Sequence, residues 1–258
     1  KIFYCLCCYS KESIIMYKKI IIENVKTLIY ALIIAVFIRS IFIQPFYIPS
    51  SSMESNLLVG DRLFVTKYTY GYSKHSFPFS PNLFQKRFFF SEPKRGDIIV
   101  FKTPADNRTD YIKRLIGLPG DELQFIDGDL FLNNSQIFKS LISSNQKVYC
   151  GNEQIEVNTF EEKLPNGKKY IAVYRKNYSF QNSDKFIVPE GHYFFLGDNR
   201  DCSKDSRYLS EVGYVNKINL VGKARFIFFS SDIRVGSIFK FWNWGNIIRF
   251  DRFFKKII

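Results

Sequence analysis

The stretch VKTLIYALIIAVFIRSIFI, residues Val25–Ile43, divides the chain in two. Its uninterrupted apolar core, Leu28–Ile38, is too short to cross a bilayer by itself. With its flanks the segment reaches the roughly 20 residues that a spanning helix needs. Lys26 and Arg39 stand near its ends, where long side chains can extend to the headgroups. Residues 25–43 therefore read as a transmembrane anchor, with the buried helix of a globular protein as the alternative. Lys11, Lys18, Lys19 and Lys26 precede or open the segment, and after Arg39 no charge occurs until Glu54. That asymmetry predicts that residues 1–24 stay in the cytoplasm and that Gln44–Ile258 lie outside. A cleaved leader would share the basic start and apolar middle. No small-x-small site follows, however; the chain continues Gln44-Pro45-Phe46-Tyr47. The anchor is expected to remain.

Working outward, Lys1–Ser13 opens without Met, and Met16 is a candidate start that would leave Cys5, Cys7 and Cys8 outside the native chain. The other two cysteines, Cys150 and Cys202, are far apart, and five thiols so placed do not spell a disulfide scaffold. The net charge of +13 implies an anionic neighbour. The anchor favours a phospholipid membrane over nucleic acid, and no zinc-finger, helix-turn-helix or tandem RNA-binding pattern is present.

Beyond the anchor the pattern is of short strands broken by turns. Asp61–Lys67, Asp97–Lys102, Asp110–Ile116, Lys169–Tyr174 and Val221–Phe229 are predicted strands, and Leu123–Asn133 a hairpin turning at Asp127-Gly128. Gly71–Pro93, rich in aromatics and proline, reads as a loop or membrane-facing flap. The expected class is mainly β: an antiparallel catalytic domain from 44–121 and 190–236, with a smaller β domain inserted at 122–189. The tail, 237–258, mixes Trp242, Trp244, Phe250, Phe253 and Phe254 with Lys240, Arg249, Arg252, Lys255 and Lys256. Such a composition suits either an anionic membrane surface or a docked helix with a solvated basic side.

Histidine is scarce. His75 lies in the aromatic segment, and His192 lies between Pro189-Glu190-Gly191 and an apolar strand, where a structural role fits better than a catalytic one. A Ser-His-Asp hydrolase or a histidine metal site is therefore not expected, and no HExxH occurs. Three other segments draw attention. Pro49-Ser50-Ser51-Ser52-Met53 follows the anchor closely; Tyr111-Ile112-Lys113-Arg114-Leu115-Ile116 is a strand with an internal lysine; Gly197-Asp198-Asn199-Arg200-Asp201 continues through Cys202-Ser203-Lys204-Asp205-Ser206-Arg207.

Together with Gly60-Asp61 and Arg95-Gly96-Asp97, and in this order across residues 28–229, these blocks resemble the bacterial type I signal peptidases, or leader peptidases. The resemblance implies a serine endopeptidase that removes signal peptides from exported preproteins with a Ser–Lys pair. It implies Ser52 as nucleophile, Lys113 as general base, and Ser50 beside the Ser52 N–H as oxyanion donor. Ser203 would orient the lysine, and Arg114, Asp205 and Arg207 would brace the site as a charge network. Ile48, Met53, Leu57, Tyr111 and Ile112 match positions lining the pocket for small side chains. No cofactor or metal is implied. The expected setting is a monomer in the cytoplasmic membrane with its body on the outer side.

The residues suit that chemistry. A free lysine, with a pKa near 10.4, is charged at neutral pH and cannot act as a base. Burial beside Phe46, Ile48, Tyr111 and Leu115 would penalise the ammonium, and a hydroxyl from Ser203 would aim the amine without restoring charge. Two departures stand out: the family's usual Pro-Thr-Leu after the Ser-Met is replaced by Glu54-Ser55-Asn56-Leu57, and Cys202 stands where a small polar residue is usual, as a free thiol near the site. Losing the proline loosens the backbone, while Asn56 would supply a local hydrogen bond. The altered Ser55-Asn56 is the sole support for a rival reading, an idle membrane-bound relative that binds exported chains.

Overall fold

Pro45 lies just past the apolar run, and the backbone before a proline is driven toward extended conformations. The helix ends accordingly. In the computed structural model, which describes all residues except 1, 82–84, 178, 233, 237–240 and 258, helix α1 spans Ile2–Ile41 and strand β1 occupies Ile43–Tyr47. The side chains of 2–14, including Cys5, Cys7 and Cys8, lie outside the described residues, as does that of 241. The helix thus stops two residues short of the Ile43 boundary read from hydropathy, because Phe42 and Ile43 are apolar in either conformation. Its 27 residues from Ile15 to Ile41 are apolar enough to cross a membrane, and the body buries none of the apolar window within them, Ser40 at the joint alone being buried. At 1.5 Å per residue they extend about 40 Å.

The joint to the body is tight. Phe42 N–H donates to Ile38 O (2.9 Å), Lys67 N–H to Phe42 O (3.1 Å), and the Tyr72 hydroxyl to Ile41 O (3.0 Å).

The strands of the body all pair antiparallel. After β1 come β2 (Asp61–Thr66), β3 (Ile98–Lys102), β4 (Asp110–Gly117), β5 (Glu122–Ile126), β6 (Asp129–Leu132), β7 (Ser135–Gln136) and β8 (Phe138–Cys150). Then follow β9 (Glu153–Lys163), β10 (Lys169–Arg175), β11 (Phe186–Ile187), β12 (His192–Leu196), β13 (Val215–Asn216) and β14 (Leu220–Ser230). A seven-stranded sheet has the order β1-β2-β14-β3-β4-β12-β13; β10-β9-β8 and β11-β5-β6-β7 form two smaller sheets. The five predicted strands correspond to β2, β3, β4, β10 and β14, within one residue at each end. The hairpin turns at Asp127-Gly128, where φ is 50° and 80°. Positive φ at both central residues is what a tight two-residue hairpin requires.

Burial follows the period of two. In β3, Ile98 and Val100 join Ile48, Met53, Leu63 and Val65 in one cluster, while Ile99 and Phe101 join Leu115, Tyr193 and Phe195 in another. A third cluster runs from Ile116, Phe194 and Leu196 of the large sheet to Leu123, Phe125, Tyr170 and Tyr174 of the small ones. Both faces of β4 are therefore covered, and Lys113 and Arg114 are both buried.

A buried ion pair ties the small sheets to the 197–207 segment. Arg200 Nη1 donates to Glu162 Oε1 (2.9 Å) and Nη2 to Oε2 (2.6 Å), while the Tyr170 and Tyr174 hydroxyls donate to the same carboxylate, both at 2.5 Å. Arg200→Met leaves that carboxylate buried without its counter-charge, at a cost of about 3–5 kcal/mol. The expected result in a thermal melt is a Tm lowered by roughly 10 °C.

The tail combines the two readings of its composition differently from either. Among its described residues, Trp244–Ile247 is the α-helical part. Arg252 turns inward to Asp61 (2.6 Å) and Arg249 to Asp232 (2.5 Å), while Trp242, Trp244, Phe250 and Phe254 are exposed. The arginines dock the tail, and the aromatic side faces out. Anionic partners on the body, Asp61 buried and Asp232 half-buried, decide that orientation, and composition does not reveal them.

Candidate active site

After β1 the chain makes a tight turn over residues 50–57. Glu54 N–H donates to Ser51 O (3.0 Å), and Asn56 and Leu57 N–H to Met53 O (3.0 and 2.9 Å). Met53 and Leu57, at i and i+4, are buried in the cluster below, at 0% and 1% exposure. Their burial holds Ser52 upward between β1 and β4. Both were expected to line the pocket. Neither is among the side chains lining the cleft, but both pack against Ile48 and Val100, which are.

Lys113 enters from β4, and its Nζ donates to Ser52 Oγ. Burial pulls the Lys113 pKa down to about 8; Asp205 and Asp198 oppose this and Arg207 adds to it. Ser50 Oγ lies 3.4 Å from Ser52 Oγ. A cleft of about 500 Å³ opens over this pair, lined by Phe46, Ile48, Val100, Tyr111 and Ile112 among others. Leu115, expected to help dry the lysine, belongs to a different cluster from the one below the cleft.

Ser203, expected to orient the lysine, lies against Gly197, which also adjoins the Ser52 carbonyl. Its hydroxyl is buried without a hydrogen-bond partner, while the Lys113 amine donates to Ser52. The two bracing arginines grip different carboxylates. Arg114 grips Asp198 through Nε and Nη2, both at 2.8 Å, and stacks 4.4 Å from the Tyr170 ring centroid. Arg207 grips Asp205 at 2.8 and 2.9 Å, and Asp205 Oδ2 also accepts from Gly197 N–H (2.9 Å). Burial raises the Asp205 pKa, but the Arg207 charge and these hydrogen bonds outweigh it and leave it below the usual carboxylate range.

Two further expectations are corrected. Cys202 is no free thiol; it forms a disulfide with Cys150 across 52 residues of sequence, Cα to Cα 5.5 Å. Strand β8 and the 197–207 segment meet only in three dimensions, so spacing alone could not pair them. Asn56 keeps a local bond through its backbone N–H, but its side chain reaches across the chain to Ile171 O (2.8 Å) and Asp198 Oδ2 (2.7 Å). The sequence reading also passed over Asn199, buried beneath the turn, although it stands inside the Gly197–Asp201 block already singled out. Neither histidine bonds to the site: His75 Nδ1 pairs with Ser80 (3.0 Å) and His192 Nδ1 with Glu190 O (2.9 Å).

Residues 21–229 match the protein family described as signal peptidase, peptidase S26. Among curated relatives, a signal peptidase I from Rickettsia bellii strain OSU 85-389 is 41% identical over 249 residues, covering 90% of this chain and 84% of the relative. One from Rickettsia typhi is 41% identical over 247 residues, covering 88% and 90%. The crystal structure of a signal peptidase I from Enterococcus faecalis V583 is 29% identical, covers 52% of this chain and 97% of that one, and superposes with a TM-score of 0.31.

Proposed function

Because this chain belongs to the signal peptidase family, peptidase S26, and is a serine peptidase that removes signal peptides, we propose that Ser52 and Lys113 perform the cleavage. The observation that carries this reading is the lysine amine held on the Ser52 hydroxyl at the floor of an apolar cleft. A serine hydroxyl becomes nucleophilic only when a base takes its proton. With the amine neutral, Ser52 Oγ attacks the scissile carbonyl carbon and its proton passes to Lys113 Nζ. The Ser50 hydroxyl and the Ser52 N–H receive the developing oxyanion, each such donor being worth roughly 3–4 kcal/mol. The ammonium then protonates the leaving amine, giving an acyl-enzyme. Water, deprotonated by the same lysine, releases the product acid. Ile48, Tyr111 and Ile112 contact small side chains before the cut, while Asp205 with Arg207 and Arg114 with Asp198 hold the walls.

The finer setting is part of the same proposal. Helix α1 spans the cytoplasmic membrane with its N-terminus inside, and the body, a monomer, works on the outer face. The exposed aromatics of the tail meet the lipid. Residues 44–121 and 190–236 make the catalytic part, and 122–189 the inserted part.

The test is a pH–rate profile of preprotein cleavage in detergent. The neutral amine is the reactive form, so kcat is expected to climb through an apparent pKa near 8 and level off above it. A rate that is flat from pH 6 to 10, or no cut at the signal-peptide junction, overturns the assignment.

A further inference from the structure

We propose that Asn199 is a positioning residue that aims the Ser52 N–H at the oxyanion. A trans peptide is planar, and its C=O and N–H point in opposite directions. Whatever holds the Ser51 carbonyl therefore sets the direction of the Ser52 N–H. Asn199 Nδ2 donates to Ser51 O at 3.1 Å. Its backbone N–H donates to Ser52 O, also at 3.1 Å, so one residue pins the peptide planes on both sides of the Ser52 Cα. The Ser52 N–H itself donates to no acceptor among the described residues.

The carboxamide is built in firmly. Asn199 is only 1% exposed, and its Nδ2 also donates to Tyr149 O at 3.2 Å. With two carbonyl oxygens facing one end of the amide, that end must be the NH₂. Tyr149 lies at the tip of the β8–β9 hairpin, and three further links hold the tip there. Gly151 N–H donates to Ser51 Oγ (3.1 Å), Cys150 is bonded to Cys202, and Arg234 stacks 3.6 Å from the Tyr149 ring centroid. The hairpin tip, contributed by the smaller sheets, thus reaches the oxyanion donor through Asn199.

This role rests on Ser52 being the nucleophile. The oxyanion exists only in the transition state and the tetrahedral intermediate. Misdirecting its donor therefore lowers kcat and leaves ground-state binding nearly unchanged.

The test compares Asn199→Ala and Asn199→Leu with the parent enzyme in detergent. Leucine keeps the branched side-chain shape and removes both Nδ2 hydrogens without burying a new charge next to Asp198, and a thermal melt shows that the variant measured is folded. A peptide aldehyde serves as probe; Ser52 Oγ adds to its carbonyl carbon, and the aldehyde oxygen takes the oxyanion position. Expected are a kcat lowered about 10- to 100-fold and a KM within about twofold of the parent. Aldehyde affinity should weaken in parallel with kcat/KM, and the rise of rate near pH 8 should stay where it is. A loss carried by KM, a shifted pH profile, or a kcat within twofold of the parent in a folded variant overturns the proposal. Mapping the aldehyde adduct separates the two readings. An adduct on a residue other than Ser52 overturns the site assignment itself, whereas an adduct on Ser52 with undiminished kcat overturns only the role of Asn199.

Discussion

Ser52→Ala, Lys113→Met and the double variant are expected to share one residual rate, about four orders of magnitude below the parent in kcat. The two side chains act as a unit. Without the amine the hydroxyl keeps its proton, and without the hydroxyl the amine has nothing to activate, so the second deletion adds no further loss. Stability should move the other way for Lys113→Met. The folded-state pKa is depressed to about 8 from the ordinary lysine value of 10.5. Below pH 8 the folded and unfolded chains both hold the proton, and the folded one bears the full cost of burying it. That cost shrinks as pH rises from 8 to 10.5 and the folded form deprotonates first. Methionine removes it at every pH. A melt at pH 7 should therefore give Lys113→Met a Tm no lower than the parent, with cleavage lost. Additive rate losses in the double variant would falsify the coupled pair.

Gly197→Ala is expected to lower kcat by about two orders of magnitude, the scale of a misplacement near 1 Å at a reacting group. The glycine here is a matter of space. A Cβ on Gly197 would stand 2.1 Å from Ser203 Oγ, 2.3 Å from Ser203 Cβ and 2.6 Å from the Ser52 carbonyl oxygen. Two of those atoms belong to or adjoin the backbone, so no rotamer change relieves the contact. Ser52 must move off Lys113, or the Gly197 N–H must move off Asp205 Oδ2. Wild-type kcat in this variant would mean that the pair tolerates a looser fit than its geometry indicates.

The mainly β class, strands β2, β3, β4, β10 and β14 and the Ser52–Lys113 pairing were legible because each leaves a local mark: strand-length apolar runs, an Asp-Gly turn, and motif blocks in a recognisable order; the long polar strands β8 and β9 leave none. What escaped was set by contacts across the chain. Met53 and Leu57 carry no sign that they point down into the core rather than into the cleft. Alternation in β4 could not tell whether Lys113 was exposed, because both faces of that strand are covered. The Cys150–Cys202 bond and the reach of Asn56 to Asp198 join segments that the sequence keeps far apart. Ser203 is the instructive case. Its place near the pair follows from the block it sits in, but which oxygen the amine chooses depends on distances no spacing encodes.

The stiff joint between α1 and β1 also has a consequence for which bond is cut. A single residue, Phe42, separates helix from sheet, and three hydrogen bonds lock that corner. With α1 crossing the bilayer as proposed, the catalytic groove cannot swivel or rise; it stands at a set altitude above the lipid. A preprotein anchored in the same leaflet must then present its scissile bond at that level. The corner works as a height gauge, selecting the cleavage point by the number of residues between the end of the substrate's own apolar stretch and the groove.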